Sequence, residues 1–158
     1  MRALPLLALL LAATTACGSP AGSGGGQTCT AIGPLVGVGI DLQPAAAAKV
    51  SDATVVACWS GACVTRAVEL RPSTAAGPET CTGDNCSVRA APTGGKQGFA
   101  DLPGLPSAPV RLTVKLAGFA DQTLDVTPKL SYPNGPDCGA GGPQAQVVVD
   151  DTGRATER

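Results

Sequence analysis

Six cysteines constrain this chain more tightly than any other feature. Apart from Cys17, which sits in a different context, they fall at 29, 58, 63, 81, 86 and 138. Two pairs enclose four residues each, in CWSGAC (58–63) and CTGDNC (81–86). Zinc sites and dithiol redox sites favour other spacings, and the sequence has no His to complete a mixed zinc set. An even number of cysteines in an exported chain therefore points to disulfides. Fifteen pairings are formally open, but the short intervals favour local bridges. Cys58 and Cys63 would face each other across a hairpin turn, and Cys81 and Cys86 across a polar one. Cys29 and Cys138 are then left to join the two ends of the domain. By the loop-entropy argument that long closure is the strongest staple, at about 4–5 kcal/mol.

A staple of this kind matters because apolar material is scarce. Residues 28–150 contain 27 Leu, Ile, Val and Phe, and the whole chain has one Trp, one Tyr and two Phe. The apolar residues recur with period two. In LVGVGIDL (35–42), Val36, Val38, Ile40 and Leu42 share one face and Gly37, Gly39 and Asp41 the other, the signature of a half-buried strand. ATVVACW (53–59) pairs with CVTRAVEL (63–70) if Cys58 opposes Cys63. That register puts Arg66 on the apolar side, so it must reach the rim, or the register must slip by one. VRLTVKL (110–116) alternates cleanly. Residues 123–130 return with Leu124 and Val126 inward, and QAQVVV (144–149) closes the domain. Pro44–Val50 has room for one or two helical turns, with Pro44 well placed to start them. The fold class expected is all-β: a disulfide-stapled antiparallel β-sandwich over 28–150 with little or no helix. Residues 151–158 are expected to form a disordered tail.

The N-terminus carries an address. Residues 1–16 read MRALPLLALLLAATTA, with Arg2 ahead of an apolar run and small residues at 14–16. The run is too short for a span of about 20 residues and reads as a targeting signal. TTA followed by Cys17 resembles the lipobox of a bacterial lipoprotein, with Thr14 where that family usually has Leu. The resemblance implies a diacylglycerol thioether on Cys17 and a place on the outer face of the cytoplasmic membrane. Ordinary secretion with cleavage after Ala16 is the alternative. Residues 17–27 contain no large apolar side chain and read as a flexible tether. GFADLPGLPSAPVRLTVKL (98–116), the CWSGAC hairpin and YPNGPDCGAGGPQAQVVVD (132–150) resemble small actinobacterial lipoproteins and Ig-like or prealbumin-like extracellular modules. That likeness implies an exported β domain and no particular chemistry.

Several chemistries fall away on residue type. Without His there is no Ser-His or Cys-His relay. Ser60 lacks a nucleophile-elbow context and a lysine partner, and reads as a turn residue. With 11 basic against 12 acidic side chains and no basic run, the chain has no footprint for nucleic acid. Asp84 with Asn85, and Asp150 with Asp151, supply too few oxygens for calcium. No metal or cofactor is expected. The loop from Tyr132 and Asn134 to Cys138 is the most distinctive polar stretch. It reads as a rigid turn aiming Cys138 at its partner, with a contact site at Tyr132 and Asn134 as the functional alternative.

The function expected from these residues is a non-catalytic, membrane-anchored module that is structural or binds an envelope protein. A small-ligand or glycan-binding lipoprotein is the alternative, and an enzyme the least favoured reading. A contiguous apolar patch around Tyr132 or Phe99 would favour the first. A cavity of several hundred cubic ångströms would favour the second, and clustered perturbed carboxylates the third.

Overall fold

The computed structural model describes Cys29, Gly33 and residues 35–158. The signal segment 1–16, Cys17 and the tether 17–27 lie outside the described residues. Ten strands and one short helix follow in the order β1 (Gly37–Leu42), α1 (Pro44–Ala47), β2 (Ala53–Trp59), β3 (Ala62–Val68), β4 (Arg71–Thr82), β5 (Asn85–Asp101), β6 (Val110–Leu116), β7 (Gln122–Val126), β8 (Lys129–Leu130), β9 (Pro143–Val149) and β10 (Ala155–Glu157). They form two sheets in a β-sandwich-like arrangement. The larger sheet runs β10-β9-β1-β5-β4, with β8 beside β10 on the outer edge of β9; the smaller runs β3-β2-β6-β7. All pairings are antiparallel except β1 with β9.

The core follows from the period-two pattern. Val38, Ile40 and Leu42 of β1 and Ala145, Val147 and Val149 of β9 face Val55 and Ala57 of β2 and Val110, Leu112 and Val114 of β6. Among the described residues the buried set contains no polar or charged side chain, and the fully buried side chains are no larger than Ile and Leu. Leu102 and Leu105 close one end from a turn in which Gly104 takes φ +80° behind Pro103, the arrangement of a type II turn. Cys58 pairs with Cys63 in the register expected, and Arg66 lies opposite Val55. Its guanidinium reaches the rim, donating from Nε to the Asp101 carbonyl at 3.1 Å and from Nη1 to that of Thr65. Between these strands Ser60 (φ +49°) and Gly61 (φ +79°) make the two-residue turn, both positive as a type I′ hairpin requires.

Three disulfides join Cys29 to Cys138, Cys58 to Cys63 and Cys81 to Cys86. The first spans 109 positions with Cα atoms 5.4 Å apart, and the parallel pairing of β1 with β9 is what brings those ends together. Gly135 donates its N–H to the Tyr132 carbonyl, so Pro133 and Asn134 hold the turn centre before the 3₁₀ turn at Pro136–Cys138.

Four features depart from the sequence expectations. Residues 71–101 form a long β4–β5 hairpin that the apolar pattern did not mark. From Thr74 outward nearly every residue is exposed on both faces, so no face needed apolar side chains. At about 3.3 Å per residue the arm extends roughly 23 Å from Thr74 to the Cys81–Cys86 bridge. Its turn centres on Gly83 and Asp84, with Asn85 paired to Thr82. Where an antiparallel sandwich is expected, β1 and β9 pair in parallel. The return strand expected over 123–130 is two strands. Thr127 and the buried Pro128 break the ladder, and Lys129–Leu130 crosses to the larger sheet. Residues 151–158 are not a disordered tail, because Ala155–Glu157 pairs with Val147–Val149, so β9 is an inner strand.

Asp150 explains that last correction. Its Oδ1 accepts from the Thr152 hydroxyl (2.6 Å), the Thr152 N–H (2.8 Å) and the Arg154 N–H (3.0 Å), tying the turn into β10. These bonds, led by the Thr152 hydroxyl, hold the Asp150 carboxyl below its usual range. A depressed carboxyl stabilises the turn above its unfolded value of about 3.9 and loses that contribution as pH falls through the folded value. Amide resonances of Thr152 and Arg154, followed from pH 6 to pH 2, should move with a midpoint below about 3.9. A midpoint at or above it would contradict this assignment.

Candidate functional site

The outer face of the larger sheet carries the arrangement most suited to binding. Its geometry starts from β1, where Gly37, Gly39 and Asp41 point away from the core. In one cross-strand row Gln146 of β9, Gly39 of β1 and Phe99 of β5 are neighbours. In the next row Val148, Asp41, Gln97 and Arg71 follow one another across β9, β1, β5 and β4. The glycines are there for close approach. A Cβ at Gly39 would overlap the Gln146 carboxamide, and one at Gly37 would meet the Ala100 carbonyl and the edge of the Phe99 ring. Gln146 and Phe99 can therefore lie over the strand instead of standing off it.

The result is an open trough of about 460 Å³, lined by Asp41, Glu69, Arg71, Gln97, Phe99 and Gln146 with Gly39 and Gly98. Asp41 Oδ2 accepts from Gln146 Nε2 at 3.0 Å and pairs with Arg158 Nη1 at 3.3 Å. Arg71 Nη2 pairs with Glu69 Oε1 at 3.1 Å. The charges thus come as two paired sets, while Gln97 stays exposed. A cleft of this size, with a few fixed polar groups and one aromatic ring, falls in the range of ligand sites. A second hollow of about 220 Å³, between α1 and the base of the arm, is lined mainly by Ala, Pro and Gly. Its Lys96 is committed to the Val50 carbonyl at 2.7 Å.

The residues singled out from sequence lie elsewhere. Tyr132 is 48% exposed and Asn134 holds a turn position in the loop tied by Cys29–Cys138; neither lines the trough. Ser60 is a turn residue. Asp150 organises the β9–β10 turn, and Asp151 accepts the Ala45 N–H at 2.8 Å, so this pair has structural work. Glu79 lies near Cys81 and Cys86, within 4.8 Å. Both sulfurs are joined to each other, which leaves one carboxylate and no thiolate to hold a metal.

Sequence reasoning named Phe99 only as the possible centre of an apolar patch, and did not single out Asp41, Arg71, Gln97 or Gln146. A signal was present in two places. Glycines at alternate outward positions of a strand imply that something lies across it, and Gln144 and Gln146 alternate outward in QAQVVV. Joining the two needed the parallel β1–β9 pairing, which spans more than 100 positions. No protein-family model, no curated protein and no solved structure matches the chain.

Proposed function

We propose that this chain is a non-catalytic binding module, held at the outer face of the cytoplasmic membrane by lipid on Cys17, and that it binds through the trough on its larger sheet. The observation that carries this reading is the trough itself: an open, glycine-floored surface of mixed polar and apolar lining, on a face that the fold does not need to cover. The choice among the classes raised by the sequence turns on that shape. The large apolar side chains that are well exposed are Leu35, Val88, Leu130 and Tyr132, and none lines the trough. Phe99 sits among polar groups and not at the centre of an apolar patch. Ligand binding therefore has more support than docking of a flat protein surface.

Other features support display and the lack of catalysis. Three disulfides suit an oxidising compartment. The sequence has no imidazole base, Ser60 serves a turn, and the trough carboxylates are each engaged by a guanidinium. The likeness to Ig-like and prealbumin-like modules belongs to the same reading, supported by two packed sheets and the turn leading into β6.

Two results are expected from the full chain in cells. Cys17→Ser should move it from the membrane fraction to the soluble one and abolish incorporation of labelled lipid. Equal retention without lipid in the unaltered chain would contradict the anchor. A photoreactive residue at Gln97 should give adducts on intact cells, whereas one at Thr123, in the smaller sheet, should not. Equal adducts from both positions would contradict the trough.

A further inference from the structure

We infer that the trough takes a neutral saccharide, a short oligosaccharide laid across the strands of the larger sheet. This rests on the reading of the trough as the contact site and adds the chemical class of its ligand. Three observations narrow that class. First, Asp41 is paired with Arg158, and Glu69 with Arg71, so the lining offers no unpaired charge to attract an ion or offset its desolvation. Second, the trough lies on a sheet face. Backbone N–H and C=O groups of the inner strands β9, β1 and β5 are spent within the ladders, so an extended peptide could pair only along the outer edge of β4 and not across the trough floor. Third, the lining groups are two carboxylates, two carboxamides and a guanidinium around a half-buried Phe99 ring.

That set matches a ligand dense in hydroxyls with one apolar face. Carboxylate and carboxamide oxygens accept from hydroxyls, while carboxamide and guanidinium N–H groups donate to them. The Phe99 ring gives a surface for the C–H face of a sugar, and a ring supplies contact area at low entropic cost. Three strand spacings separate β9 from β4, about 14 Å, which favours several linked rings over one. Gln146, held over Gly39 and bonded to Asp41, is already oriented before a ligand arrives.

The test is titration of the isotope-labelled full chain, in detergent or nanodiscs, with neutral tetrasaccharides of glucose, mannose and N-acetylglucosamine. Tetragalacturonate serves as an acidic comparator and an Ala-rich hexapeptide as a peptide one. At least one neutral tetrasaccharide should shift the amides of Gly39, Asp41, Gln97 and Phe99 in a saturable way. Gln97→Ala, at an exposed position, should weaken that binding about five- to tenfold. Phe99→Ala should abolish it and Phe99→Tyr should restore it. Thr123→Ala should leave it unchanged. Shifts at the trough from tetragalacturonate or the peptide, with none from the neutral sugars, would overturn the ligand class and leave the trough as the contact site. Shifts confined to other surfaces would overturn both. No response to any sugar, with adducts from position 97 still formed on cells, would reject the saccharide alone.

Discussion

Replacing Cys29 and Cys138 together by Ala should lower the melting temperature of the chain by about 8–20 °C. The bond closes a 109-residue separation, so it removes more freedom from the unfolded chain than either local bridge, and native disulfides are worth about 2–5 kcal/mol. A domain of this size has a total stability of about 5–15 kcal/mol, and each kcal/mol moves the midpoint by roughly 4 °C. Reversible thermal unfolding, read by circular dichroism, decides the point. A shift below about 3 °C would mean that the sheets alone hold β1 beside β9. Losing Cys81–Cys86 should act differently, because the arm it staples is exposed along its length. An isolated two-stranded ribbon is marginal in water, so opening should stay local to the arm.

The second large effect is expected in the core. Leu112 is fully buried in β6, facing the larger sheet, with Ala57 and Leu124 beside it on β2 and β7. Leu112→Ala should cost about 2–5 kcal/mol through lost burial and a residual cavity. Among the described residues no side chain larger than Ile or Leu is fully buried; Trp59 and Phe119 pack against the core only partly buried. Leu130→Ala, at a site 45% exposed, should stay within about 0.5 kcal/mol. Denaturant titrations of the two variants provide the comparison, and equal midpoints would contradict the packing. The cysteine change acts mainly on the unfolded state and the leucine change on the native state. Their effects should therefore add when combined.

These effects also indicate how much of the molecule could be read from residues. Strands β1, β2 and β6 were legible because their alternate apolar residues are buried, whereas β3, exposed apart from Val64 and Val68, was legible through Cys63. The Cys58–Cys63 register followed from a four-residue interval, and the end-to-end pair followed once the local pairs were set aside. The arm was silent for the opposite reason: a ribbon that buries neither face carries no alternation, and Ala75, Ala76, Ala90 and Ala91 pair across it without an apolar stripe. The break at Pro128 reads in hindsight as a missing ladder donor, but only the larger sheet supplies the edge that β8 joins. The tail was misread because its strand is three residues long, held by the Asp150 turn and not by apolar burial.

The candidate site was less legible than the fold. Asp41 and Gln146 lie 105 positions apart, and nothing local in either segment announces the other. Tyr132 and Asn134 attracted notice through a distinctive Pro- and Gly-rich loop, which the structure uses to carry Cys138 to Cys29. Sequence spacing is informative where chemistry is local, as in the hairpin disulfides. A trough assembled from four strands becomes visible only when pairing and register are known.

Hydroxyl-radical footprinting tests the central claim most directly, by comparing the anchored chain on intact cells with the same chain purified. Phe99 in the trough and Tyr132 on the disulfide-tied loop are both reactive aromatic residues and serve as internal probes of two surfaces. If the trough is the contact surface, labelling of Phe99 should fall several-fold on cells while Tyr132 is labelled equally in both samples. Equal labelling of Phe99 in the two samples, or shielding of Tyr132 in its place, would contradict the account.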